Sequence, residues 1–486
     1  MPTMRYESVP GARQWMRQGT KGWKSWVRVE VLLLLCTIFS VASLAVYVRA
    51  QGPGDWSTYL ASNGRAGFNA AETIITPVTA PHLKLHWTHT GGSISAQPVE
   101  ANRLIYWGSW DGFEHATNLN NGHVWTVNLG KTTGLNCVPP TVGVASTPTV
   151  ASVSIKGTST SVDFVGGGNG YFYALNALNG SLIWRTFLGA PPSHFIWSSP
   201  AVFQGSVYIG MASFGDCPLV QGQLIQMNAV TGAIQHTFNV VPTGCTGGAV
   251  WGSPTIDEAT GTVYIATGNP GACSTTETLT NAVVALNAAN LSLVASWQVP
   301  VAEQVPDGDF GSTPTLFTAT IGGTSHLLVG VANKNGKYYA FDRSAISNGP
   351  LWRATVAAGG ECPQCGDGSI SPGAWDGTTL YVAGGRTTIN GQSCKGSVRA
   401  VHPDTGTFIW EHCLGSGPVL GAVTMAPGVI VVGQGTDLNV MAAASGQSLF
   451  RYHDTLSNAF FAGAASISNG VIYIGNLDMH LYAFGL

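Results

Sequence analysis

The chain has 486 residues, 45% of them hydrophobic, only 9% charged, with 63 glycines; this balance suits many short strands joined by tight turns rather than charged surface helices. The formal net charge is −3, and six of the 21 basic residues fall within the first 28 positions. Nucleic-acid binding would need a basic stripe, and the rest of the chain carries none, which excludes that class of partner.

The N-terminus reads first. Arg5, Arg13, Arg17, Lys21, Lys24 and Arg28 precede an uncharged, apolar run over 31–48. At 1.5 Å per residue such a run spans roughly 27 Å, close to the thickness of a bilayer core. The basic flank keeps residues 1–30 cytoplasmic and sends the remainder outward. Val48-Arg49-Ala50 also offers small residues for signal-peptidase cleavage after Ala50. The run is long for a cleaved signal, so a single transmembrane anchor is the expectation, with secretion as the alternative. Residues 49–80 read as a linker and lead-in. Cysteines agree with export: apart from Cys36, eight remain, an even number that suits up to four disulfides in an oxidising compartment. Cys394 and Cys413 flank a hairpin turning at 402–406 and are expected to pair, and Cys362-Pro-Gln-Cys365 can close on itself.

From Ser95 the chain repeats one pattern: a small-residue/Pro step, a short apolar strand, a Tyr-containing strand, an Ala-Leu strand, an Asn/Thr-Gly turn, then Trp. Ser199-Pro-Ala through Tyr208-Ile-Gly states its first half, and Gly170 through Trp184 its second. The turn-plus-Trp slot falls at Trp125, Trp184, His236, Trp297, Trp352, Trp410 and Phe450. Four strands per unit of about 40–60 residues predict a β-propeller. Seven Trp slots face eight first halves, and the last, ending at Leu481-Tyr-Ala-Phe484, lacks its Trp strand. Leu83-Lys-Leu-His-Trp87 supplies it, giving an all-β, eight-bladed propeller over 81–486, closed by an N-terminal strand with no free edge. The Trp residues of these slots are read as structural, each packing a large ring between blades.

Polar residues that interrupt this charge-poor repeat cluster at loop ends of blades 3 to 6: Asp216, Asn269, Asp307, Asp309, Lys334 and Arg386. Asp and Asn oxygens suit a hard cation such as Ca²⁺, and an Asp beside it suits proton abstraction. Here the sequence becomes specific. Trp251-Gly-Ser-Pro through Thr267-Gly-Asn269-Pro270, Asp307-Gly-Asp309-Phe-Gly-Ser-Thr-Pro314 and Ala332-Asn-Lys334-Asn-Gly through Asp342-Arg343 resemble, in order, three segments of the pyrroloquinoline quinone (PQQ) dependent alcohol dehydrogenases, nearest the polyvinyl-alcohol dehydrogenase branch. The resemblance implies PQQ and Ca²⁺ as cofactors. It makes Trp251 the flat wall against the quinone, Asn269 a Ca²⁺ ligand, Lys334 the donor to the quinone carbonyl and Asp309 both ligand and catalytic base. Arg386 is a further cofactor-contact candidate.

Three departures qualify the likeness. The acidic ligand segment of the third blade is shortened to Ser213-Phe-Gly-Asp216, leaving Asp216 as the acidic metal candidate. Gly311 stands where lanthanide-using relatives carry Asp, which favours Ca²⁺. Cys365 is followed by Gly366 and no Cys-x-x-Cys-His occurs, so electrons must pass to an external acceptor. The expected activity is oxidation of a small or polymeric alcohol outside the cytoplasm. The alternative is a non-catalytic PQQ-repeat propeller acting as an envelope scaffold, and a carbohydrate-binding propeller has only Trp107 and Trp110 in its favour.

Overall fold

The computed structural model describes residues 54–486. The basic N-terminus, the apolar run expected to anchor the chain and the cleavage point after Ala50 lie outside them. Among the described residues no helix is long and apolar enough to cross a membrane.

Eight antiparallel units, each built on four strands, follow one another as blades 1 to 8, over 99–128, 149–187, 201–239, 255–298, 315–355, 374–414, 424–453 and 466–485, with His194–Phe195 adding a short fifth strand to blade 3. Blade 8 is completed by Lys84–Thr90, which pairs antiparallel with His480–Gly485 and sets Trp87 opposite Ala483. Joining the two ends of the chain in one sheet removes the free edges that a linear meander would expose.

The outer-strand tryptophans bind each blade to the next. The indole Nε1 of Trp87, Trp125, Trp184, Trp352 and Trp410 donates to a carbonyl of the following blade: Leu119, Ala177, Ala229, Pro403 and Ala443, at 2.8–3.2 Å. In blades 2, 3, 6 and 7 the turn glycine, Gly180, Gly232, Gly406 or Gly446, packs against that ring. Gly232 has φ +72°, and a Cβ there would stand 2.4 Å from Trp184 Cε3. Gly232→Ala combines a left-handed backbone with a clash and is expected to lower stability by about 1–3 kcal/mol. Calorimetry would register this as a lower unfolding midpoint, and an unchanged midpoint would contradict the docking role.

One slot differs from the sequence expectation. The residue of blade 4 equivalent to these tryptophans is Ala295, opposite Ala285, whereas Trp297 lies opposite Val283. The extra offset turns Trp297 onto Tyr339 and Phe341 of blade 5, with ring centroids 5.2 and 5.1 Å away. The turn is no wider than elsewhere, Leu286 facing Leu293 as Leu175 faces Leu182, and the tryptophan sits further along its strand.

The first strand of every blade faces the axis and would leave its inner edge unpaired. Residues 54–69 fill that space. Trp56 bridges Glu100 of blade 1, and the Ser57 carbonyl accepts from Val150 of blade 2. The Asn63, Gly64 and Ala66 carbonyls accept from Ile256, Leu316 and Trp375 of blades 4, 5 and 6. Asn63 and Asn69 side chains donate to Val202 and Ile467 of blades 3 and 8, and Phe68 bridges Met425 of blade 7. Arg65, fully buried, donates to the Pro254, Tyr59 and Pro200 carbonyls at 3.0, 2.6 and 3.0 Å. The lead-in is therefore a plug that satisfies the inner edges around the axis.

Both expected disulfides are present, Cys394–Cys413 and Cys362–Cys365, together with Cys137–Cys217 and Cys245–Cys273.

Candidate active site

In an antiparallel meander the loop after a blade's second strand and the loop into the next blade's first strand emerge at the same end of the ring. Asp216, Asn269, Lys334 and Arg386 follow second strands, while Trp251 and Asp309 precede first strands. Topology alone therefore gathers residues scattered over 216–386 at one end.

The centre of the site is an ion pair. Lys334 Nζ lies 2.6 Å from Asp309 Oδ1 and 2.9 Å from Asp307 Oδ2. Trp251 Nε1 donates to Asp309 Oδ2 at 3.0 Å, and the Lys334 ammonium stands 5.2 Å from the Trp251 ring centre. Asn269 donates through its amide nitrogen to Asp307 Oδ1. The loop bearing both aspartates is fastened to blade 5 through Glu303. That carboxylate takes Lys337 Nζ at 2.6 Å, the Tyr339 hydroxyl at 3.0 Å and Arg353, while its backbone carbonyl accepts from Asn335. Gly311 packs against the Trp251 ring edge, where a Cβ would come within 2.1 Å, so the wall is held from behind.

Burial lifts the Asp309 carboxyl to about 6; Lys334 opposes this shift and Asp307 adds to it. Burial alone would lower the Lys334 ammonium, but Asp309 and then Asp307 reverse the sign and raise it. Asp216 sits exposed at the rim. Desolvation in its crowded loop raises its carboxyl first, then the charge of Asp307, while Lys334 pulls it down. Asp216 thus stands at the rim, within range of the charges of Asp307 and Lys334.

Of the residues the sequence groups together, the structure joins Trp251, Asn269, Asp309 and Lys334, leaves Asp216 at the rim, and pairs Arg386 instead with Asp367, its side chain 57% exposed. Asp307, noted in the sequence only as one more acidic interruption, is the residue that links Asn269 to Lys334. Its place two residues before Asp309, in Pro306-Asp-Gly-Asp309, was the available signal.

Three carboxylates against one ammonium leave surplus negative charge, and with the Asn269 amide they form an all-oxygen donor set suited to a hard divalent cation. Two of them, Asp307 and Asp309, hold Lys334 rather than closing into a cage. Among the described residues the only His, Cys, Asp or Glu trio with ligand atoms within 4.8 Å of one another is Cys245, Cys273 and Glu277, whose sulfurs are joined to each other. In donor chemistry and charge the residues fit Ca²⁺, and an indole face beside a buried cation and acid fits a flat, anionic quinone.

Comparison with known proteins agrees with this geometry. Residues 192–352 match the family described as glucose/ethanol/alcohol dehydrogenase, beta-propeller domain, and residues 334–484 match that of outer membrane protein assembly factor BamB. A polyvinylalcohol dehydrogenase of Pseudomonas sp. is 25% identical over 78% of this chain and 64% of its own length. A quinohemoprotein alcohol dehydrogenase of Comamonas testosteroni is 26% identical over 46% of this chain and 35% of its own. The chain therefore spans less than two thirds of these curated relatives. The crystal structure of the Comamonas testosteroni quinohemoprotein alcohol dehydrogenase superposes with a TM-score of 0.70 at 18% identity, over 90% of this chain and 81% of that one. The chain is a PQQ-type β-propeller protein, homologous to polyvinylalcohol dehydrogenase and quinohemoprotein alcohol dehydrogenase.

Proposed function

We propose that this protein is a PQQ- and Ca²⁺-dependent alcohol dehydrogenase working outside the cytoplasm, held at the membrane or released by its N-terminal segment. The observation that carries the proposal is a buried carboxylate, Asp309, fixed between an indole N–H and a lysine ammonium. PQQ, when bound, supplies the two-electron acceptor for the hydride leaving the carbinol carbon. Asp309 takes the hydroxyl proton of a primary or secondary alcohol, borne by a small molecule, a polyol or a polymer. Lys334 places its charge where negative charge develops. Trp251 fixes the plane against which the cofactor rests, Asp216, Asn269 and Asp309 offer the oxygens for Ca²⁺, and Arg386 is left for the cofactor's periphery. Electrons then pass to an external acceptor.

Burial raises the Asp309 carboxyl, to about 6 without metal, so turnover is expected to rise with pH as the base ionises, with the limb below that value where Ca²⁺ is bound. Lys334 holds the carboxyl down, so Lys334→Gln is expected to move this limb to higher pH as well as to slow turnover. Dye reduction by the PQQ- and Ca²⁺-loaded protein, followed across pH, measures both. A limb that stays in place contradicts the assigned coupling. The match of 334–484 to the assembly-factor family supports a second reading, a non-catalytic scaffold; it predicts no dye reduction with any alcohol.

A further inference from the structure

The seam between blades 1 and 2 differs from every other seam in the ring. At each seam, a side chain on the third strand of one blade packs on a side chain of the next blade's second strand. The repeat register aligns these pairs as Phe172–Val207, Leu224–Val263, Val283–Val329, Tyr338–Leu380, Val398–Ile430, Leu438–Ile472 and Leu481–Ile105. Each pair shares one apolar cluster. The same two slots at the blade 1–blade 2 seam hold Glu114, opposite Gly108, and Asp163, opposite Leu175.

Both acids have no solvent exposure, and none of their four carboxyl oxygens has a hydrogen-bond partner. The Tyr106 hydroxyl, also fully buried, lies beside Asn102 and within the field of Asp163. Burial, and then Asn102 and the charge of Asp163, act on its phenol, whose net shift is upward. Burial pushes Glu114 well above the usual carboxylate range, and Asp163 adds to it; burial alone lifts Asp163 to about 8. No Lys, Arg or His charge acts on either acid among the described residues. Replacing an apolar pair on both sides of one seam by two uncompensated acids costs several kcal/mol unless something occupies the space between them.

We propose that Glu114 and Asp163 form a buried site for a hard cation that clips blade 1 to blade 2, separate from the Asp309 centre. Carboxylate oxygens are the donors such an ion prefers, and its charge removes the cost of ionising both acids. The inference does not depend on the proposed dehydrogenase activity.

Calcium alone is the probe. The full chain carrying Asp309→Asn, which disables the other candidate site, is stripped with chelator and unfolded thermally at increasing Ca²⁺. The expected midpoint rise is roughly 3 °C at a hundredfold excess over the dissociation constant. Glu114→Leu with Asp163→Val, added to the same background, restores the apolar pair of the other seams; it is expected to fold, to be stable in chelator and to lose the calcium response. The proposal is overturned by no calcium response in the Asp309→Asn chain, or by a response that survives in the Leu/Val variant. It is also overturned if the midpoint falls equally, with and without calcium, as pH rises from about 5 to 8, since that assigns the pair to protons.

Discussion

Asp309→Asn is expected to cut turnover of the PQQ- and Ca²⁺-loaded protein by about 10²- to 10⁴-fold, the usual contribution of a positioned general base. The substitution keeps the size of the side chain, and Trp251 can still donate to its oxygen, so the wall and the loop stay in place. What disappears is the proton acceptor and one of the two carboxylates facing Lys334. Measuring turnover and KM together with PQQ affinity separates the causes. Loss of turnover with retained PQQ binding supports the assigned role, and turnover within a few-fold of the parent protein removes it.

Arg65→Ala is expected to be the most damaging single change to stability, by about 3–5 kcal/mol. Arg65 has no carboxylate partner; its guanidinium is satisfied by the carbonyls of Tyr59, Pro200 and Pro254 and stands 5.6 Å from the Tyr59 ring centre. Burial lowers its pKa to about 10, so the charge survives across the physiological range. Truncation leaves those carbonyls unpaired at the heart of the plug, each costing roughly 1–3 kcal/mol, although some will find water. Denaturant unfolding followed by tryptophan fluorescence measures the loss. A change below about 1 kcal/mol would mean that the plug does not hold the blades.

The repeat, its eightfold count and the closing strand at Trp87 were legible because each blade must bury the same ring against the same turn, which writes a period into the sequence. The site was legible in part for a related reason: in a charge-poor chain, Asp309 and Lys334 stand out. The plug was not legible. Residues 54–69 reach, through backbone and side-chain groups, strands up to about 400 positions away, and neither Arg65 nor Asn63 belongs to any periodic pattern. Asp307 escaped assignment because its role, joining Asn269 to Lys334, depends on two loops meeting in space. Glu114 and Asp163 lay hidden for a similar reason, since each interrupts a strand that otherwise reads as ordinary blade.

The most direct test of the central claim is titration of the metal-stripped protein with PQQ in the presence of Ca²⁺, read by tryptophan fluorescence. One equivalent of PQQ should quench the signal saturably, calcium should tighten the binding, and Trp251→Leu should abolish most of the quench. A linear, calcium-independent response, the same in parent and variant, would mean that Asp309, Lys334 and Trp251 frame no quinone site.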